Sequence, residues 1–132
     1  MRTVLTVATS RREELVDITV PVKNLVAGAD PCHELCSIFV LGATAGIMIQ
    51  ENWDPHIGAD VIDCLARLAP RGIWRHDRID GNGDSHIKAG LVGPSEVIPI
   101  RNGELLLGTW QNIFLCEFDG PRQRREVVIT LV

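Results

Sequence analysis

Two histidines, His76 and His86, stand on either side of a glycine-rich acidic turn, RHDRIDGNGDSHIK, with Asp77, Asp80 and Asp84 between them. Imidazole nitrogens beside carboxylate oxygens form a mixed ligand set suited to a divalent ion such as zinc or magnesium. Spacing alone also fits a polar surface loop carrying two solvated histidines, because no helical ladder of the H-E-x-x-H kind fixes their geometry. The centre of the turn, DGNGDSH, begins like a calcium loop, with Asp80, Asn82 and Asp84 at the first, third and fifth positions. The sixth position, which needs glycine for the sharp turn, is Ser85, and the twelfth, which needs a bidentate Glu, is Leu91. Tight calcium binding is therefore not expected. The hexapeptide PCHELC offers Cys32, His33 and Cys36, but no second Cys/His pair follows to complete a tetrahedral zinc site.

Other polar residues stand where chemistry is plausible. Glu51, Asn52 and Asp54 in QENWDP follow an apolar run and precede a helix, at a corner where polar groups can face a pocket. Asp54 reads best as a helix N-cap. Glu51, a carboxylate at the end of an apolar strand, needs a cation, a ligand or a hydroxyl. Lys88 lies two residues past His86 and shares its face if HIK is extended, where it could neutralise a phosphate. Trp110 and Gln111 open a strand in GTWQ. Asp119 and Arg122 flank a Gly-Pro turn and read first as an ion pair bracing it. The run PRQRRE is the only dense positive cluster, a strand end that could also hold a small phosphate.

Composition narrows the partners. Lys+Arg of 13 against Asp+Glu of 17 gives a net charge of −4, which repels a phosphate backbone, so nucleic acid is not expected as a partner. No apolar run reaches the length of a membrane span, and the N-terminal residues lack a signal-peptide core, so no membrane partner and a cytoplasmic location are expected. Free thiols are the expectation for Cys32, Cys36, Cys64 and Cys116. A chain of 132 residues fits one domain, burying roughly two-thirds of the surface of its unfolded form.

The elements that must position these residues are mostly strands. Residues 2–9 alternate and are rich in Val and Thr, and EELVDIT continues as a second extended segment. Thr19 caps a short helix over VPVKNLVAG that stops at Gly28. ELCSIFVL and TAGIMIQE are buried strands that pair or lie adjacent. DPHIGADVIDCLARLAP is the clearest helix, with Ile57, Val61, Leu65 and Leu68 on one face and Cys64 packed with them. VIPIRNGELLLG is a hairpin about Asn102-Gly103, and NIFLCEF and REVVITLV are the last strands. The sum is an α+β, β-rich, sandwich-like domain over residues 1–132 with two helices.

Taken together, ENWDP, His76 before the acidic turn, SHIKAGLVGPS, GTWQ and EFDGPR occur in the order of the YjbQ family, which the chain resembles over nearly its whole length. The resemblance implies a compact β-rich sandwich with helices, assembled as a homotrimer. It implies a pocket of three histidines that holds a metal or acts on a phosphate ester. Two of these match His76 and His86; the third falls on Gly42, and the first Asn of the family's NEN falls on Gln50. A weakly held divalent metal, zinc or magnesium, on His76 and His86 is the resulting expectation. The implied reaction is that of a secondary thiamine-phosphate synthase, joining a pyrimidine pyrophosphate to a thiazole phosphate. His86, His76 and Glu51 would be catalytic, and Asn52, Lys88, Gln111 and Arg122 would bind the phosphorylated substrate. The alternative is a non-catalytic trimeric binding or scaffold protein with a degenerate metal site.

Overall fold

The computed structural model describes residues 1–132. In chain order the elements are β1 (Arg2–Val7), β2 (Glu14–Asp17), α1 (Thr19–Ala27), β3 (Leu35–Leu41), β4 (Ala45–Gln50), α2 (Pro55–Leu68), a 3-10 turn (Arg75–Arg78), α3 (Gly83–Val92), β5 (Ser95–Arg101), β6 (Glu104–Leu105), β7 (Asn112–Glu117) and β8 (Arg125–Leu131). They form two sheets, β1-β8-β3-β5-β6 and β2-β7-β4, in which every pairing is antiparallel. The architecture is α+β, as the strand patterns suggest.

The core lies between the sheets and follows from alternation. Val127, Ile129 and Leu131 of β8 point inward and Val128 and Thr130 outward; β3 buries Cys36, Ile38 and Val40 in the same way. From the second sheet Ala45, Ile47, Ile113 and Leu115 meet them, and Val22 and Val26 of α1 join the same cluster. The opposite face of β7 supplies Phe114 and Cys116 to a second cluster with Phe118, Leu65 of α2 and Ala89 of α3. β7 is thus covered on both faces, which is why NIFLCEF reads as a continuous apolar run.

Several local expectations meet their geometry. Asp54 caps α2, its carboxylate accepting from the His56 amide at 2.9 Å. Asn102 and Gly103 take φ of 54° and 74° between Arg101 and Glu104, the left-handed angles of a two-residue hairpin turn. α1 ends at Gly28, although its first free amide, that of Thr19, is satisfied by Asp17 rather than by a threonine cap.

Three points differ. There are three α-helices rather than two, because the segment taken for a loop and an extended HIK is α3. Its inward residues are Gly83, Asp84, Ser85, Lys88 and Ala89, so the helix buries a polar face and hides the apolar periodicity by which helices are recognised. Cys64 is exposed and only Leu65 of α2 is buried. β3 and β4 lie in opposite sheets, connected through Gly42, Ala43 and Thr44.

Candidate anion pocket

Arg125 is the first residue of β8 and shares the inward phase of Val127, Ile129 and Leu131, so its guanidinium must find a buried partner. Glu117, at the end of β7 and fully buried, supplies it: Nε donates to Oε1 at 3.1 Å and Nη2 to Oε2 at 2.6 Å. The carboxylate also accepts from Thr9 Oγ1 at 2.8 Å and from the Phe118 amide at 3.1 Å. Nη2 further donates to Thr44 Oγ1 at 2.8 Å. Nη1 makes no hydrogen bond. It lies where a side chain at position 42 would begin, 2.8 Å from the place of a Cβ on Gly42, whose φ of +149° already disfavours one. A histidine here would strain the backbone and displace the guanidinium, so glycine and Arg125 are two parts of one arrangement.

Around Nη1 lies a cavity of about 420 Å³, lined by Leu41–Thr44, Asn82, His86, Arg122, Arg124 and Arg125. Arg122 is braced by Asp119, with Nη2 3.1 Å from Oδ2 and Nε donating to the carbonyl at 3.0 Å, which is the ion pair expected across the Gly-Pro turn. Arg124 is exposed and has no hydrogen bond or ion pair. His86 stands on α3 with its ring edge-to-face against His76 of the 3-10 turn, centroids 4.7 Å apart. His76 Nε2 is buried without a hydrogen-bond partner, the nearest carboxylate being Asp80 at 3.6 Å. Asn82 Oδ1 is also unpartnered, while its Nδ2 donates to Asp119 at 2.9 Å.

The acids of the turn do not form a ligand set with these histidines. Asp77 accepts from the Trp74 and Gly83 amides, fixing the entry to α3. Asp84, fully buried, takes two bonds from Arg12 at 3.1 and 3.0 Å and one from Lys88 at 2.9 Å. No three His, Cys, Asp or Glu side chains are grouped to hold a metal ion. With three guanidiniums at the same cavity, the residues present do not fit a divalent cation.

The remaining sequence candidates lie elsewhere. Lys88 is 2% exposed and bonds to Asp84 and Glu13, so the expectation of a free phosphate clamp on an extended HIK is corrected: a helix turns the side chain inward, onto two carboxylates. Glu51, Asn52 and Gln111 belong to the other end of the β4–β7 pair, where Gln50 faces Asn112. Six residues of β4 separate that end from Thr44, roughly 20 Å of extended chain. There Asn52 donates to Asp17, and Gln111 accepts from the Gly108 amide. The expected site therefore splits in two, with His76, His86 and Arg122 at one end and Glu51, Asn52 and Gln111 at the other. Arg124 and Arg125 were visible only as part of a charged run. The signal for Arg125 was its phase with the inward residues of β8.

An antiparallel two-sheet sandwich with an arginine pocket at one end of its smaller sheet defines a class of small α+β protein. The model of the family described as UPF0047 protein YjbQ-like matches residues 3–132, and the chain belongs to that family. A UPF0047 protein of Methanocaldococcus jannaschii is 44% identical over 126 residues, covering 96% of this chain and 90% of its own. The UPF0047 protein YugU of Bacillus subtilis is 37% identical over 123 residues, 91% of each. Among solved structures, a YbjQ-like protein of unknown function from Sulfolobus solfataricus superposes with a TM-score of 0.95 at 36% identity, covering 99% of this chain and 95% of its own. An uncharacterized protein of the YjbQ/UPF0047 family from Clostridium acetobutylicum gives a TM-score of 0.92 at 39% identity, with 98% and 99% covered.

These relatives overturn one expectation. The family resemblance holds, but the secondary thiamine-phosphate synthase activity attached to it does not follow, because the relatives are described by family alone or as proteins of unknown function. No helix is long and apolar enough to cross a membrane.

Proposed function

We propose that the chain binds a small molecule bearing an oxyanion, a phosphate or a carboxylate, in the pocket above Gly42. The observation that carries this reading is the free Nη1 of Arg125 converging with Arg124 on one cavity. Guanidinium donors on an oxyanion form charge-assisted bonds, often two in parallel. The ion pair with Glu117 orients Arg125 but leaves one edge unspent, and Gly42 keeps that edge reachable. His86 adds a ring nitrogen to the same wall, and the unpartnered Asn82 Oδ1 adds an acceptor for a hydroxyl or amine beside the anion.

Isothermal titration with inorganic phosphate and with pyrophosphate tests the reading. Saturable binding that weakens as salt rises is expected. Arg124→Ala should weaken it about 10-fold or more, the size of a lost charge-assisted hydrogen bond. The absence of binding to either anion at low salt would contradict the proposal.

The reading includes a homotrimer. The helices pack against the three-stranded sheet and at β6, and the outer face of the larger sheet leaves Val4, Phe39, Leu41 and Val97 exposed. An uncovered apolar face of this kind is ordinarily an interface. Light scattering should give three times the 14.5 kDa chain mass at micromolar concentration, and a monomer mass would contradict it.

A further inference from the structure

Asn82 holds the N-cap position of α3, where its side chain would ordinarily accept from a helix amide, yet it caps nothing. Its Nδ2 donates to Asp119 Oδ2 at 2.9 Å, which fixes the amide with Oδ1 as the free acceptor, buried and unpartnered in the wall of the arginine pocket. The same Asp119 oxygen accepts from Arg122 Nη2 at 3.1 Å. A neutral acceptor and a guanidinium are thus held within two hydrogen-bond lengths of each other. In the loop after β3, the backbone amides of Gly42, Ala43 and Thr44 donate no hydrogen bond, although Thr44 is buried. Successive unspent amides add fixed positive dipoles beside the free Nη1 of Arg125. The lining contains no Phe, Trp or Tyr, and only Leu41 and Ala43 are apolar. Trp53 and Trp110, edge-to-face at 5.9 Å, belong to the other, tryptophan end of the β4–β7 pair.

We propose that the ligand of this pocket is a small hydroxylated phosphomonoester, of the polyol phosphate or sugar phosphate kind, and that Asn82 selects it by accepting from a hydroxyl close to the phosphate. The inference rests on the anion-pocket reading and adds the chemistry of the rest of the ligand. A dianionic phosphate with three terminal oxygens can engage Arg125 Nη1, Arg124 and the amides of residues 42–44 together, a fuller match than the two oxygens of a carboxylate. The group that meets Asn82 must be a donor, because Oδ1 only accepts. An ammonium would donate as well, but it would stand among three guanidiniums, whose like charge disfavours it, so a hydroxyl remains. The shared Asp119 oxygen keeps Oδ1 near Arg122, which sets hydroxyl and phosphate near each other on the ligand. A nucleobase finds no aromatic ring to stack on, and an acyl chain finds no apolar wall. The cavity of about 420 Å³ suits a compact molecule. Discrimination follows from the buried acceptor: a ligand hydroxyl satisfies it, whereas an ester without one leaves it unpaired.

Isothermal titration with glycerol 3-phosphate, propyl phosphate and inorganic phosphate tests it, because the two esters share a three-carbon skeleton and differ only in hydroxyls. Glycerol 3-phosphate should bind the native protein at least about 10-fold more tightly than propyl phosphate. Asn82→Ala should bring the two esters to within about 3-fold of each other. Equal affinities for the native protein, a comparison that depends on no substitution, would overturn the inference and leave the anion pocket standing. A preference that survives Asn82→Ala at its native size would overturn it too, since Asn82 would then not be the group that reads the hydroxyl. Failure of all three compounds to bind at low salt would remove the anion-pocket reading itself, and this inference with it.

Discussion

Glu117→Ala should lower the stability of the protein by about 3–5 kcal/mol, the range for breaking a buried ion pair from one side. The cause is the charge left behind rather than the bonds lost. Arg125 cannot swing into water without pulling the start of β8 out of the core, where Val127 and Ile129 are fully buried. Its guanidinium would remain inside with Thr44 as its only hydrogen-bond partner, the Asp119 amide would lose its acceptor, and the Phe118 amide would keep only the Thr44 carbonyl. Chemical denaturation measures the effect, and a loss below about 1 kcal/mol would show that the pair is solvated. Replacing both partners with apolar residues should recover much of the loss, because an apolar pair of similar volume carries no desolvation penalty. It should also abolish anion binding, since the recovered fold would lack its donor.

Asp84→Asn should have the second largest effect, about 3 kcal/mol at neutral pH, and should change how stability depends on acid. Burial pushes the Asp84 carboxyl up, but hydrogen bonds from Arg12 and Lys88 together with their charges outweigh it and hold the group below the usual aspartate range. A carboxyl depressed in the folded state stabilises fully above its unfolded value, near 3.9, and that stability fades as pH falls through the folded value. The native protein should therefore lose stability more steeply than Asp84→Asn as pH falls below about 5, where the unfolded carboxyl begins to take up protons. Parallel acid limbs would show that Asp84 does not act through its charge. The network also ties residues 12 and 13 to α3, and with it the placement of Asn82 and His86.

What was legible in the sequence follows from where the buried residues are apolar. β3, β5 and β8 alternate, α2 carries an N-cap and Pro55 at its start, and Asn102-Gly103 announces its turn, so each could be placed from local pattern. α3 could not, since it buries Asp84, Ser85 and Lys88, which any reading by hydrophobicity assigns to solvent. The same inversion misplaced Lys88, whose chemistry suits a phosphate but whose partners are Asp84 on its own helix and Glu13, more than seventy residues away in sequence. His76, His86 and Arg122 were singled out, and His86 and Arg122 do line one pocket, with His76 packed against His86. Glu51, Asn52 and Gln111 were joined to them by chemical type, and only the sheet register shows that they stand at the far end of the same strands. Pairing of charges such as Arg125 with Glu117 is likewise a property of three-dimensional neighbours that local pattern does not encode.

The most direct test of the anion pocket is amide chemical-shift mapping by NMR during titration with inorganic phosphate. Saturable shifts should cluster at Gly42–Thr44, Asn82, His86 and Arg122–Arg125, and should be much reduced in Arg124→Ala. Shifts that do not saturate, or that gather at the tryptophan end while these residues stay unmoved, would contradict the account.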